Sequence, residues 1–206
     1  MTVPSQKDAW NDFYGSNPRP WRGIISNKIR FPFGKGDVVL DIGCGIGKTS
    51  SALIEEGYRV IGVDISDVAT DICRRIYGDK MSVVCASADS IPIDPCSADG
   101  IAMIHVLEHM NEEELKASAD EAYRILSYGG KIFVRVFHKD DMRSGKGERI
   151  DGGIVRGNGI RYRYFTEDEL RDAFKRFSEV SMERIDETTK FKETRSRIEA
   201  VFEKPA

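Results

Sequence analysis

VVLDIGCGIGKTS, residues 38–50, is the stretch of sequence that decides the fold. It begins as a run of aliphatic and β-branched residues, which is typical of a buried strand, and it continues into a loop with glycine at positions 43, 45 and 47. In open α/β sheets, ligands bind beyond the carboxyl ends of the strands, where glycine lets the backbone turn tightly and a ligand approach closely. The stretch therefore predicts the first strand of a parallel sheet, followed by a ligand-binding loop.

Four further apolar runs follow, and stretches of helical periodicity separate them. They are YRVIGVD, MSVVCA, GIAMIHV and KIFVRVF, within residues 58–137. Strands that alternate with helices indicate a parallel sheet, and continuous Val/Ile runs indicate strands covered on both sides. Near the C-terminus, EVSMERID and TRSRIEAVF predict a closing antiparallel hairpin. The expected fold is α/β, a doubly wound and mostly parallel seven-stranded sheet with a C-terminal antiparallel hairpin and helices on both faces.

The chain of 206 residues has the length of one domain with a single sizeable core. We assign residues 37–206, which hold the alternating pattern, to one α/β domain. Residues 1–36 precede the first strand, carry several aromatic residues and are expected to form a lid or appendage. Residues 138–165 are rich in glycine and show no sustained period, so we predict a loop on the substrate side of the sheet.

The composition is that of an ordinary soluble protein. The chain has 31 lysine and arginine residues against 34 aspartate and glutamate residues, so its formal net charge is −3 at pH 7. This balance gives no global field that would favour a nucleic acid or a membrane, and no run of about 18 apolar residues could span a bilayer. The N-terminus has no apolar leader, which favours the cytoplasm. The four cysteines form no CxxC pair, so no metal site is expected.

Two other glycine motifs each differ from the loop by one residue. The dinucleotide fingerprint GxGxxG would need glycine where Lys48 stands, and the P-loop GxxxxGK[ST] would need glycine where Ile42 stands. The P-loop is the nearer match, but no apolar strand that ends in an acidic pair stands out downstream as its magnesium partner. What remains is D-x-G-x-G-x-G, with Asp64 ending the second strand about 20 residues further on, where an acidic residue receives a ribose.

With these residues in place, the sequence resembles the class I, Rossmann-like methyltransferases that use S-adenosylmethionine, and among them the type 11-like domains of the small-molecule branch. The resemblance covers residues 37–137 and continues more weakly to the end of the chain. It rests on four segments in the order of that family: VVLDIGCGIGKTS, VIGVDIS, ASADSIPIDPCSADGIAMIHVLEHM and YRILSYGGKIFVRVF. It implies a single Rossmann-like domain, S-adenosyl-L-methionine as cofactor and S-adenosyl-L-homocysteine as product.

The resemblance also implies which residues bind the cofactor. Asp41 would orient the loop or the cofactor's ammonium group, Asp64 would hold the ribose hydroxyls, and Asp89 would accept from the adenine amino group. The full set is Asp41, Gly43, Cys44, Gly45, Asp64, Ile65, Ala88, Asp89, Ser90, His105 and Val106. A purely structural role, as a helix cap or a turn residue, stays open for each of the three aspartates.

Other residues are candidates for the acceptor side of the site. His105 and His109, near the end of the fourth strand, are the candidate catalytic bases, although a histidine there is also often a hydrogen-bonded structural residue. Arg161 and Arg163 would share one side of an extended segment, and that side or Arg22 would receive an anionic acceptor. The alternative is that these arginines pair with nearby acids. The residues expected to face the substrate are Tyr14, Trp21, Arg22, His138, Arg161 and Arg163.

We therefore expect a methyltransferase that acts on a small, soluble, anionic acceptor by in-line displacement. The chain lacks an Asn-Pro-Pro-aromatic stretch after the fourth strand, and HVLEHM resembles the small-molecule branch. The expected partner is a small-molecule substrate, with neither nucleic acid nor membrane, and the expected state is a monomer or homodimer. The alternatives are a protein or RNA methyltransferase, which would need a basic surface, and a non-catalytic S-adenosylmethionine-binding protein.

Overall fold

The computed structural model describes residues 5–17, 29–150, 153–156 and 158–206. Trp21 and Arg22, two of the residues expected to face the substrate, lie outside the described residues. Within the described ranges, no helix combines the length and the apolar character needed to cross a membrane.

A seven-stranded sheet lies at the centre of the molecule, in the order β3-β2-β1-β4-β5-β10-β9. β1 to β5 are parallel, and β10 runs antiparallel to both of its neighbours. The strands are β1 Val38–Ile42, β2 Arg59–Asp64, β3 Ser82–Cys85, β4 Ala98–Ile104, β5 Leu126–Phe137, β9 Ser178–Thr188 and β10 Thr194–Glu203. The strand order reverses between β1 and β4, which is where ligands bind in such sheets. The predicted sheet and its C-terminal hairpin are confirmed.

Helices cover both faces of the sheet, as predicted. On one face, Leu115 of α4 and Leu170 of α5 belong to the larger buried core, and on the other face Leu53 of α2 and Cys73 of α3 belong to the smaller one. The helices are α1 Gln6–Ser16, α2 Lys48–Glu55, α3 Asp67–Tyr77, α4 Glu112–Ile125 and α5 Glu167–Ala173. The carboxyl ends of β1, β2 and β4 therefore emerge between two packed layers.

Capping boxes set the start of the two helices on the larger core. The side chain of Asn111 accepts from the backbone of Glu114, whose own side chain accepts from the backbone of Asn111. Thr166 and Glu169 form the same reciprocal pair at the start of α5. Both boxes satisfy backbone N–H groups that the first turn of a helix leaves unpaired. They place the short turn Leu107–His109, which precedes α4, directly beyond β4.

The glycine-rich stretch contains more structure than the predicted loop. Three short antiparallel strands form a second sheet, β6 Glu148–Ile150, β7 Gly153–Val155 and β8 Arg161–Tyr162. Runs of two or three residues are too short to show an alternation of apolar and polar side chains, which explains why the sequence did not indicate them. The main chain ties this sheet to the end of β4, because the N–H of Arg163 donates to the carbonyl oxygen of Glu108.

The segment before β1 contributes to the core of the sheet. Ile29 and Phe31 are buried, and the ring of Phe31 lies 5.6 Å from that of Phe133 in β5. Further towards the N-terminus, α1 packs beside α3, where the Ser66 hydroxyl donates to the side-chain oxygen of Asn11 (2.7 Å). Residues 29–33 therefore pack with the sheet, whereas a lid role for the N-terminal segment stays a prediction.

Candidate functional site

The glycine loop closes against the ends of β2 and β4. The backbone N–H groups of Gly43 and Cys44 both donate to the carbonyl oxygen of Val63, at 2.7 and 3.0 Å. Gly43 has a φ of +79°, in the left-handed region that favours glycine. A Cβ atom at position 43 would lie 2.6 Å from the Cβ atom of Val106. Glycine is therefore required here by the backbone conformation and by the contact with the end of β4.

Two buried carboxylates hold this loop. Oδ2 of Asp41 accepts from the hydroxyl of Ser50 in α2 (2.6 Å), and Asp64 accepts from the backbone N–H groups of Gly45 (2.8 Å) and Ser66 (2.9 Å). Burial raises the pKa of Asp41 to about 7, and burial raises the pKa of Asp64 despite the backbone donors that lower it. The geometry supports the loop-orienting role of Asp41. Its contact with the cofactor stays a prediction.

A cavity of about 120 Å³ opens beside the loop, and we call it the first cavity. Asp64 and Asp89 line it together with Ile65, Ala88 and Val106. Carboxylates accept hydrogen bonds from hydroxyl and amino groups, and apolar side chains contact the faces of an aromatic ring. This combination suits the ribose and adenine of the cofactor, and the binding roles of these residues stay predictions.

A larger second cavity, of about 540 Å³, shares a wall with the first. Cys44 and Gly45 line the second cavity, whereas Ser90 is exposed and lines neither. The residues common to both walls are Trp10, Tyr14, Gly43, His105 and His109. The second cavity is lined by the glycine loop but not by Asp64, Ile65, Ala88 or Asp89, so it is the space that would be left for the methionine end of the cofactor and the methyl acceptor.

His105 lies at the shared wall in an unusual backbone conformation. Its φ is +56°, which is uncommon for a residue other than glycine. Its Nδ1 atom lies 2.8 Å from Oε1 of the buried Glu108, and its ring stacks on that of Phe137 at 4.4 Å. The imidazole is therefore held on two sides, and its predicted role in catalysis remains a prediction.

His109 is fixed differently. Its Nδ1 atom lies 2.7 Å from the carbonyl oxygen of Arg161, which can only accept, so Nδ1 carries the proton. Its ring packs edge-on against Trp10 (4.8 Å) and Tyr162 (5.0 Å). Burial lowers the pKa of His109, so the imidazole is neutral at pH 7. These contacts give His109 a packing role, and its catalytic role stays a prediction.

Helix α1 closes one side of both cavities. Tyr14 is buried, and a Cβ atom at position 45 would collide with its hydroxyl. Gln6 accepts from the backbone N–H of Arg161 (2.9 Å) and donates to the carbonyl oxygen of Gly159 (3.2 Å). The helix thus bridges the glycine loop and the small sheet, and Tyr14 lies where the sequence predicted a substrate-side residue.

Three residues predicted to face the substrate line neither cavity. Arg161 pairs with Glu114 (3.2 Å) and Arg163 with Glu112 (2.6 Å). His138 is buried and accepts from the backbone N–H of Asp140 (3.0 Å) through Nδ1. The prediction failed for the two arginines because α4 begins with three glutamates, which attract them to its first turn. Pairing with nearby acids was the alternative interpretation.

Sequence reasoning missed most of the basic residues that line the second cavity. Only two carboxylates, those of Asp141 and Glu187, line it among the described residues. The sequence contained one signal for these basic residues, because Arg135 interrupts the otherwise apolar end of β5. Arginine is rarely buried in a strand unless it is paired or functional. The arginines in the wall are Arg135, Arg143, Arg156, Arg195 and Arg197. Arg135 pairs with Glu199, Arg143 with Asp141 and Arg197 with Glu187. The positive charge that is left at this cavity therefore comes from Arg156 and Arg195, which make no ion pair within the described residues, although the chain as a whole is slightly acidic.

Comparison with known proteins gives consistent matches. The family model described as a methyltransferase domain matches residues 40–134. The tRNA N(3)-methylcytidine methyltransferase trm140 of Schizosaccharomyces pombe is 27% identical over 84% of this chain and 64% of its own length. The tRNA N(3)-methylcytidine methyltransferase Mettl2 of Drosophila melanogaster is 33% identical over 65% of this chain and 46% of its own length. The chain thus spans only part of each relative.

A solved structure shares the whole fold. It is the methyltransferase in complex with the Trm112 methyltransferase activator of Haloferax volcanii, with a TM-score of 0.76, 22% sequence identity and full coverage of both chains. At this identity, the likeness concerns the fold alone.

The relatives contradict the expected partner. A small-molecule substrate and no nucleic acid were expected from the sequence, and this expectation is wrong, because the relatives are named as methyltransferases of tRNA. The net charge of −3 was a poor guide, since it averages the whole chain and hides the arginines gathered at one cavity. Residues 40–134 match the methyltransferase domain family, and the glycine loop and the sheet order are those of the class I, Rossmann-like fold of S-adenosylmethionine-dependent methyltransferases.

Proposed function

We propose that this chain methylates a base in RNA, with N3 of a cytidine in tRNA as the acceptor atom. The names of its relatives support this class of acceptor. The observation that carries the proposal is the composition of the second cavity, which combines guanidinium groups and aromatic rings directly beside the cofactor-binding residues. Unpaired RNA bases are recognised by stacking on such rings and planes, and phosphates by arginine.

Two arginine–aromatic pairs form part of this wall. The guanidinium of Arg143 lies over the ring of Phe137 at 3.9 Å, and that of Arg156 lies over the ring of Tyr162 at 3.8 Å. In the plane of its guanidinium, Arg143 already donates to Asp141 through Nε (2.7 Å) and Nη2 (2.9 Å), and Arg156 donates to the Tyr164 hydroxyl through Nη2 (2.8 Å). Each pair therefore holds a flat cationic group in the wall, whose remaining N–H groups can donate to phosphate or base oxygens.

Several of these arginines keep donors for a ligand. The Nε–H groups of Arg135 and Arg156 are buried without a hydrogen-bond partner among the described residues. Arg195 is exposed and makes no ion pair within the described part of the chain. A buried unpaired donor costs free energy, on the order of 1–3 kcal/mol, so a ligand that accepts from it gains affinity.

The chemistry of the acceptor fits the residues at the shared wall. N3 of cytidine carries a lone pair and no proton, so it attacks the methyl group without prior deprotonation and the product is cationic. The cofactor supplies an activated methyl group on a sulfonium. The chain's task is then to align the base and exclude water. A neutral His109 suits this task, because it places no positive charge beside the cationic product.

The proposal is tested by incubating the purified chain with S-adenosylmethionine carrying a labelled methyl group and with total tRNA. After digestion to nucleosides, we expect label in 3-methylcytidine. Arg156→Ala should reduce the incorporation of label at least about tenfold, because it removes a stacking plane and a hydrogen-bond donor from the wall of the second cavity. Arg171→Ala is the matched control, since Arg171 is exposed on α5 and pairs with Asp168.

Two results would overturn the proposal. One is cofactor binding without transfer of label to any nucleoside of tRNA. The other is label in tRNA at a nucleoside other than cytidine, which would keep RNA as the substrate class and reject the acceptor atom.

A further inference from the structure

The shared wall of the two cavities contains a histidine with an unusually well-defined setting. His105 lines both the first and the second cavity, so it lies where cofactor and acceptor meet. Its side chain is one-third exposed (34%), while the carboxylate behind it is fully buried (0%). The exposed part of the imidazole therefore faces the space in which methyl transfer would occur.

The backbone of His105 is held in place from the neighbouring strand. Its φ of +56° lies in a region that most side chains avoid, and such conformations persist only where the surroundings fix them. Here the N–H of His105 donates to the carbonyl oxygen of Arg135 in β5 (2.9 Å). Strain of this kind clusters at functional sites.

Glu108 fixes the protonation pattern of the ring. Its Oε1 atom accepts from the backbone N–H of Phe137 (3.0 Å) and lies 2.8 Å from Nδ1 of His105. A carboxylate can only accept, so Nδ1 of His105 carries a proton and, in the neutral ring, Nε2 is an acceptor. No described residue hydrogen-bonds that Nε2 atom, and the ring cannot tilt freely because it stacks on Phe137.

Cytosine presents a donor and an acceptor side by side on its pairing edge. The exocyclic amino group is the donor next to N3, whereas uracil has an acceptor oxygen at the same place and a protonated N3. We infer, on the basis of the proposed function, that Nε2 of His105 accepts a hydrogen bond from the 4-amino group of the target cytosine, and that Glu108 positions His105 for this contact. The dyad then selects cytosine and aligns N3 with the methyl group.

His109 lies at the same wall and is the competing imidazole. Its ring is enclosed edge-on by Trp10 and Tyr162, and its Nδ1 proton is donated to a main-chain carbonyl. Among the described residues, no carboxylate hydrogen-bonds to it, and a neutral carbonyl fixes a tautomer less strongly than a buried carboxylate does. The contacts therefore assign the recognition of the amino group to His105 and packing to His109.

The test uses two synthetic tRNA stem-loops that differ at one atom group. One carries cytidine at the target position and the other carries its 4-deamino analogue, pyrimidin-2-one ribonucleoside, which keeps the N3 lone pair and lacks the amino group. Single-turnover rates are compared for the wild-type chain and His105→Asn. Asparagine tolerates a positive φ, so this variant keeps the backbone while its shorter side chain withdraws the acceptor.

We expect the wild-type chain to prefer cytidine over the analogue by about 10-fold or more, which is the size of one buried hydrogen bond. His105→Asn should lose this part of the preference, so that the ratio of the two rates falls about tenfold, and the preference that stays is the one due to the 4-amino group making N3 more nucleophilic. Glu108→Ala should shrink the preference in the same way, because Nδ1 loses the acceptor that fixes the tautomer, whereas Glu108→Gln should keep it, because its amide oxygen can accept from both Nδ1 and the N–H of Phe137. Such a collapse of selectivity is not produced by a general loss of stability.

Each other outcome counts against the inference. A His105→Asn variant that reacts more slowly but keeps the full preference for cytidine would show that the amino group is read elsewhere. Collapse of the preference in His109→Asn and not in His105→Asn would assign the contact to the other imidazole. Failure of the wild-type chain to methylate the cytidine stem-loop, with cofactor bound, would instead refute the proposed function on which the inference rests.

Discussion

The backbone N–H of Gly45 donates a 2.8 Å hydrogen bond to Oδ2 of Asp64, so the carboxylate at the end of β2 fixes the loop that follows β1. The same carboxylate lines the first cavity. Asp64 therefore accepts a hydrogen bond from the glycine loop and also lies in the wall of the cavity where the ribose would bind. A change at this residue should alter both the loop and cofactor binding.

We expect Asp64→Asn to weaken the binding of S-adenosylmethionine by about 10- to 100-fold, because the amide removes a charged acceptor from a buried site. Isothermal titration calorimetry measures the change directly. Asp67→Asn is the control, since Asp67 is the next acidic residue along the chain, is exposed and pairs with Lys7. An unchanged dissociation constant for Asp64→Asn would remove the ribose-binding role from this residue.

The buried Asp41 should make the stability of the free protein depend on pH. Burial raises its pKa to about 7, whereas an exposed aspartate carboxyl group has a pKa of 3.8. The folded state thus binds more protons than the unfolded state between about pH 4 and pH 7. The contribution is fully present below pH 4 and is lost as the pH rises to 7.

The Asp41→Asn variant tests the predicted direction in which the free energy of unfolding changes with pH. We expect the variant to lose part of the decline in unfolding free energy between pH 5 and pH 8, an effect on the order of 1–4 kcal/mol for a shift of this size. Urea denaturation at the two pH values provides the measurement. Some decline should persist, because burial also raises the pKa of Asp64. A variant with the same pH dependence as the wild-type chain would show that Asp41 is already ionised in the folded protein.

The central sheet was predictable because its signals are local. Each strand of the parallel part is an apolar run that is long enough to be recognised. The glycine at position 43 indicates a tight turn in the sequence, and the structure has a positive φ there. The small sheet was not predictable, since β8 has only two residues and pairs across a turn. Its strands depend on tertiary contacts with the end of β4 rather than on their own composition.

The cofactor side of the site could be predicted more fully than the acceptor side. Asp64, Asp89 and the glycine loop lie at strand ends, so their positions follow from the topology. The arginines that line the second cavity come from segments far apart in sequence, from β5 to β10. No sequence spacing therefore predicts that they lie together. Arg161 lines neither cavity because it pairs with Glu114. The two residues are far apart in sequence, so the sequence did not indicate this contact.

Trp10 should contribute to closing the site. It lines both cavities and packs on His109 at 4.8 Å, so its removal would open the shared wall to water. We expect Trp10→Ala to reduce the single-turnover rate of methyl transfer about tenfold or more, since alignment depends on a closed wall. Lys7→Ala in the same helix is the control, because Lys7 makes a surface ion pair and lines neither cavity. Equal rates for both variants would argue against a closing role for α1.

The arginines that line the second cavity should bind RNA, whereas those paired with glutamates of α4 should not. Arg195 lines the second cavity without an ion pair within the described residues, while Arg161 is paired with Glu114 and lines neither cavity. We expect Arg195→Ala to weaken binding of a tRNA stem-loop and to reduce the slope of log K against log salt by about 1, the effect of losing one phosphate contact. Arg161→Ala should leave that slope unchanged. Fluorescence anisotropy over a series of salt concentrations measures both variants, and a reduced slope for Arg161 with none for Arg195 would place the RNA on the other side of the small sheet.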